Sequence, residues 1–178
     1  MDAADQERHF TRWTRDHAGI LHKVVNAFAE GADRDDLMQE LLLAVWRAVP
    51  GFRGEAQAAT FLYRVSHNAA LTWRRRRRKD AALLERYRAE PAATDVPGVA
   101  PGQEGGAGPV AEKLERLYAA IRALPPLDRS LVLLSLDGLA YREMAAIHGL
   151  SESNVGARLT RARHTLTTTL KEPGHESR

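Results

Sequence analysis

Apolar residues recur at helical spacing through most of this chain, in two blocks held apart by one stretch that can join neither. In the first block Phe10, Trp13, Ile20, Leu21, Val24 and Phe28 form one stripe, and Gly31 stops it where a glycine suits a helix C-terminus. A second helix is expected from Asp33, with Met38, Leu41, Leu42, Val45 and Val49 inward and Asp36, Gln39, Glu40 and Arg47 mostly outward, until Pro50-Gly51. After a loop over Phe52 to Ala59, a third begins near Thr60 and carries Leu62, Val65, Ala69 and Trp73 on one face. It is expected to finish in an unbroken run of cations, Arg74, Arg75, Arg76, Arg77, Arg78 and Lys79. No segment alternates apolar and polar residues as a half-buried strand would, so the fold is expected to be all-α.

The dividing stretch, residues 89–111, is rich in Pro, Gly and Ala, holds no aromatic residue, and carries Glu90, Asp95 and Glu104 with no lysine or arginine. It buries too little apolar surface to offset its ordering entropy, and reads as a flexible, weakly acidic linker. The chain is therefore expected to hold two small helical domains, residues 1–88 and 112–172, joined by that linker and followed by a tail over 173–178. In the second domain Leu114, Leu117, Tyr118, Ile121 and Leu124 are periodic up to Pro125-Pro126, and a short helix covers roughly Asp128 to Leu136. Two more helices, Tyr141 to His148 and Ser151 to about Leu170, flank the tight turn Gly149-Leu150, with Ser151 as N-cap. That pair has the layout of a helix-turn-helix, whose second helix enters the major groove of duplex DNA.

Composition narrows the partners. The absence of cysteine removes disulfide frameworks, zinc knuckles and thiol nucleophiles, and suits a reducing, cytoplasmic setting. Met1 to Phe10 is charged, and no stretch approaches the roughly 18 apolar residues of a membrane span, so no membrane contact is expected. The net charge is only +3, but the arginines are clustered. From Val155 to Lys171 there is no acidic residue, and Asn154, Arg158, Arg161 and Arg163 lie on the outer face of the last helix. Such a face attracts phosphates, and an arginine at a base edge can pair with guanine through two bonds. The run at 74–79 exceeds what a helix dipole needs at its C-terminus, and its mutual repulsion is relieved by water or by a polyanion. Upstream, Phe61 and Tyr63 are either core residues or aromatic platforms for unstacked bases beside the loop Phe52-Arg53-Gly54-Glu55.

The segments DRDDLMQELLLAVW (33–46) and FRGEAQAATFLYRVSHN (52–68) resemble the second conserved region of extracytoplasmic-function sigma factors. LPPLDRSLVLLSLDGLAYREMAAIHGLSESNVGARLTRARHTL (124–166) is similar to their fourth region, in the family's order and spacing. The resemblance implies a promoter-recognition subunit of RNA polymerase with no catalytic residue, metal or cofactor of its own. It implies that Asp36, Gln39, Glu40 and Trp46 dock on the clamp helices of the polymerase's largest subunit. Phe52, Arg53, Phe61, Tyr63, Arg64 and Asn68, with the basic run, would open and hold the minus-10 element, each base–aromatic stack being worth roughly 1–3 kcal/mol. Tyr141, Arg142, Asn154, Ala157, Arg158, Arg161 and Arg163 would contact the minus-35 duplex. Further implied partners are promoter DNA, other core polymerase surfaces and an anti-sigma factor that holds the domains inactive. Gly156 departs from the family's pattern, standing where many relatives have lysine or arginine, which removes a contact and costs the helix about 1 kcal/mol relative to alanine. The alanine-rich loop Glu55 to Ala59 also offers few donors for base discrimination.

A stand-alone helix-turn-helix regulator is the alternative, and would bind its operator as a symmetric dimer without polymerase. An enzyme on nucleic acid would need Asp33, Asp35, Asp36 and Glu40 as metal ligands. Those acids sit at a helix start, where carboxylates are favourable anyway, the seven histidines form no H-E-x-x-H pair, and GQEGGAGP lacks the Lys-Ser/Thr of a phosphate loop.

Overall fold

The structure is a computed structural model that describes residues 2–54, 57–89 and 108–171. Most of the expected linker and the tail lie outside the described residues, as do Glu55 and Ala56. Eight helices follow in order, with no strand among the described residues. They are α1 (Ala3–Asp16), α2 (Ala18–Phe28), α3 (Asp33–Ala48), α4 (Ala58–Ala89), α5 (Pro109–Ala123), α6 (Pro126–Leu136), α7 (Tyr141–His148) and α8 (Glu152–Lys171), with a 3-10 turn at Val49–Gly51.

Three boundaries differ from the sequence reading. The single helix expected from Phe10 to Phe28 is two, because His17 leaves helical geometry (φ −122°, ψ 23°) while its N–H still reaches the Trp13 carbonyl. The one-residue break turns α1 so that Trp13 is buried and Phe10 meets the Trp46 ring edge-on at 5.3 Å. Helix α4 does not stop at the basic run but continues ten residues past Lys79, to Ala89. The continuation, DAALLERYRA, is made largely of good helix formers, and it leaves Leu83, Leu84 and Tyr87 exposed. At the other side of the linker, α5 begins at Pro109, three residues before Glu112, with proline at a position whose N–H has no intrahelical partner.

Helices α1 to α4 enclose Leu37, Leu41, Val45, Val49 and Leu62, all fully buried, and α5 to α8 enclose Ile121, Leu131, Leu133, Met144 and Leu159. In the second group Gly149 takes the left-handed conformation (φ 65°) that lets α7 end and α8 begin at once. Ser151 Oγ accepts the Asn154 N–H at 3.2 Å, and Glu143 accepts the Ala140 N–H at 2.8 Å at the start of α7.

The two groups are packed together, α2 against α5 and α6 and α4 against α7, and much of the seam is polar. Asp137, just past α6, accepts from Lys23 of α2 and from the Tyr63 hydroxyl of α4. Arg122 Nη1 donates to the Asn26 carbonyl at 2.9 Å, and Arg34 pairs with Glu115 at 2.6 Å. At the centre His67, 5% exposed, shares a hydrogen bond with Ser130 and meets His148 edge-on at 4.7 Å.

Burial, reinforced by His148, pushes His67 down to about 4, and burial lowers His148 as well. Between the ordinary histidine value and about 4 the unfolded chain therefore binds a proton that the folded chain refuses. Stability is level above neutrality and falls as pH drops through that window, by on the order of 2 kcal/mol from pH 7 to pH 5 for His67 alone. Denaturant unfolding at a series of pH values is expected to show this slope, and His67→Gln to make it shallower.

Candidate nucleic-acid interface

Three surfaces carry the residues singled out in the sequence. The first is the outer face of α3. Gln39 and Asp36 are exposed, but Asp36 also accepts the Trp73 indole N–H, and Glu40 accepts from Arg76 at 2.7 Å. Trp46, 37% exposed, stands at the end of this face, its carbonyl taken by Gln6 at 2.8 Å. Leu43 lies there too, half exposed among polar neighbours, and was missed in the sequence. The signal was present, since Leu43 is the one leucine of the LLL run that the inward stripe Leu41, Leu42, Val45 leaves out.

The second surface runs from the loop after the 3-10 turn along α4. Phe52 and Phe61 pack edge-on at 5.1 Å, and both meet the Trp13 ring, at 4.8 and 5.7 Å. Phe61 is buried in this aromatic cluster, with the Arg64 guanidinium 5.6 Å from its centroid, while Phe52 is half-buried and Arg53 exposed. Tyr63 is not beside Phe61, as expected from the recess reading, but on the opposite side of α4, buried and bonded to Asp137. The reason is helix geometry, because residues two apart diverge by about 200°. Burial and the Asp137 carboxylate raise the Tyr63 hydroxyl well above the ordinary phenol range, so it stays a donor. Asn68 is exposed in a groove of ≈ 400 Å³ between α3 and α4, which Glu40 and Arg76 also line, so that candidates from the first two surfaces meet there.

The cations 74–78 sit in mid-helix and radiate. Arg76 reaches Glu40, Arg77 reaches Asp33, and Arg74 turns inward with a buried Nη1 that has no hydrogen-bond partner. Arg75 and Arg78 are exposed.

The third surface is α7 with α8. Tyr141, Arg142, Asn154, Ala157 and Arg161 are exposed. Arg158 is half-buried instead, with Nη1 on Asp128 at 2.8 Å and Nε on Asn154 at 3.1 Å, and Arg163 donates to Ser135 at 2.8 Å. Two of the arginines expected to face outward thus brace α8 against α6. Gly156 also has a local reason to lack a side chain, because a Cβ there would stand 3.3 Å from the Tyr141 ring. No group of three or more His, Asp or Glu side chains suited to a metal ion occurs among the described residues.

Residues 10–80 match the family model described as Sigma-70 region 2, and residues 114–166 that of Sigma-70, region 4. The chain is 30% identical over 161 residues to the ECF RNA polymerase sigma-E factor of Escherichia coli, covering 82% of this chain and 79% of that protein. The chain belongs to the sigma-70 family, as an extracytoplasmic-function (ECF) sigma factor. It is an RNA polymerase sigma factor of transcription initiation. The sigma-E factor of Haemophilus influenzae is likewise 30% identical over 165 residues, covering 88% of this chain and 82% of its own.

Two solved structures share the fold of this sigma factor. The sigma factor RpoE in complex with the anti-sigma factor NepR from Bartonella quintana aligns over 94% of this chain and 99% of its own, with a TM-score of 0.66 at 21% identity. CnrH in complex with the cytosolic domain of CnrY aligns over 94% and 91%, with a TM-score of 0.59 at 23% identity.

The two roles of the arginines on α8 are separable by stability. Arg158→Ala removes a partly buried ion pair and is expected to cost about 1 kcal/mol, whereas Arg161→Ala, on the open face, should stay within about 0.5 kcal/mol. Chemical unfolding of the two variants beside the parent chain measures this.

Proposed function

We propose that this sigma factor binds core polymerase through the outer face of α3, opens the minus-10 element along α4 and reads the minus-35 duplex with α7 and α8. The observation that carries this reading is that both matched regions present exposed guanidinium groups in the family's order, Arg53, Arg64 and Arg75 in one and Arg142 and Arg161 in the other. Phosphates along promoter DNA supply the charge these groups lack.

On α3 the reading assigns docking to Asp36, Gln39, Glu40 and Trp46 and adds Leu43, whose exposed side chain gains burial against a partner helix. For the minus-10 element Phe52, Arg53, Arg64 and Asn68 are accessible as they stand, together with Arg75 and Arg78. Phe61 supports the ring of Phe52 from below, and Tyr63 takes part only after Asp137 has withdrawn. Promoter melting in this scheme needs no nucleotide hydrolysis, because captured bases replace lost stacking with aromatic and polar contacts. The catalytic chemistry belongs to polymerase, and the cytoplasm is the proposed place of action. Residues 1–88 and 112–172 act as separate modules, tethered by 89–111. An anti-sigma factor is proposed as a further partner, since the similar RpoE structure is a complex with the anti-sigma factor NepR.

Transcription in vitro with purified core polymerase and a pool of genomic promoter fragments tests the reading, with 5′ ends of the RNA sequenced. New start sites preceded by a shared pair of elements are expected. Gln39→Ala with Glu40→Ala should weaken core association roughly tenfold, equivalent to about 1.4 kcal/mol. Arg161→Ala should leave that association intact, weaken initiation and reduce the salt slope of promoter binding by about one. A folded chain that shifts duplex DNA alone and yields no new starts is instead a stand-alone regulator.

A further inference from the structure

Between the two helix groups lies a cleft of ≈ 710 Å³ where α4 faces the ends of α2, α5 and α6. Five arginines line it against three carboxylates. Two of those carboxylates are engaged, Asp33 by Arg77 and Glu30 by Arg122. The third is Asp80, which is exposed.

The remaining guanidinium groups are short of negative charge. Arg129 is 3% exposed and is held by three backbone carbonyls, those of Leu124 at 2.8 Å, Ala27 at 3.4 Å and Arg122. No carboxylate pairs with it among the described residues. Arg74 points a buried Nη1 toward no hydrogen-bond partner, and Arg78 stands one helical turn further along the same wall. Burial, and then the charges of Arg74, Arg78 and Arg122, hold the Arg129 guanidinium down to about 10, and burial and Arg78 lower Arg74 in the same direction. Like charges gathered on two facing walls, with one buried donor of Arg74 left over, call for an anion.

We infer that this cleft binds a free oligophosphate anion, with linked phosphates bridging Arg74 and Arg78 of α4 to Arg129 at the start of α6. A bridging ligand is favoured over a single phosphate because the donors stand on two walls and the cleft exceeds the volume of one phosphate group. An anion held by both walls binds the packed arrangement better than a separated one, so it stabilises the packed arrangement by mass action. It also occupies arginines that the proposed minus-10 surface uses. The consequence for transcription rests on the sigma reading above, but the binding does not.

Calorimetric titration of the full chain with inorganic tripolyphosphate, at ionic strength matched with sodium sulfate, tests the site without polymerase. One saturable equivalent is expected, with a rise in melting temperature that follows ligand concentration. Arg74→Gln with Arg78→Gln should weaken binding at least tenfold while its circular dichroism stays that of the parent. Arg12→Gln, in the separate basic cluster of Arg8, Arg12 and Arg15 on α1, should leave binding unchanged. Absence of saturable binding, or equal loss in the two variants, overturns the proposal. So does displacement of tripolyphosphate by a short single-stranded oligonucleotide of higher affinity for the same arginines, which would make the cleft part of the DNA track.

Discussion

Asp137 is the point on which the arrangement of the helices turns. It follows the last residue of α6, next to Gly138, whose positive φ (77°) turns the chain toward α7, and it faces the first helix group. Its two oxygens accept from Lys23 and from Tyr63, one donor on α2 and one on α4. A carboxylate with both oxygens occupied in a partly buried site is firmly held, and removing it would leave a buried hydroxyl and an ammonium without a partner. Through this residue the second group covers the first, and Tyr63, a base-holding candidate, is covered with it.

The rest of the seam has a related character. His67, Ser130 and Arg129 are buried polar residues in place of leucines, and they satisfy one another or backbone carbonyls. A polar seam is easier to open than an apolar one, because each group exchanges its partner for water at small net cost. A protein whose proposed work requires two modules to reach two DNA elements has use for that property. The seam is not polar throughout, since the buried apolar residues of the two groups form one continuous cluster into which these polar side chains are set.

Much of the local fold was legible in the sequence, and for physical reasons. Leu41 and Val45 mark the inward side of α3, Gly149 and Ser151 mark the turn of the helix pair, and both follow from periodicity and capping. The break at His17 was hidden because the apolar spacing continues across it. The extension of α4 was hidden because a run of like charges reads as an end, whereas Asp33 and Glu40 partly neutralise it from α3. Of the candidate sites, the open faces of α3 and α8 were recoverable from pattern. The tying of Arg158 to Asp128 and of Tyr63 to Asp137 was not, since each pair joins residues that only tertiary packing brings together. Arg129, between Asp128 and Ser130, looks in the sequence like an ordinary surface arginine.

The free chain holds its two helix groups together across this seam, and the proposed function requires them to part. The chain has no cysteine, so a labelling pair can be placed at will, and Glu7→Cys on α1 with Thr168→Cys on α8 lie on exposed positions of the two groups. Distance distributions between spin labels at these sites, measured for the free protein and after addition of core polymerase, test the claim directly. A single narrow distribution that moves to a different, longer distance in an active complex is the predicted result. An unchanged distribution in a complex that initiates transcription would contradict it.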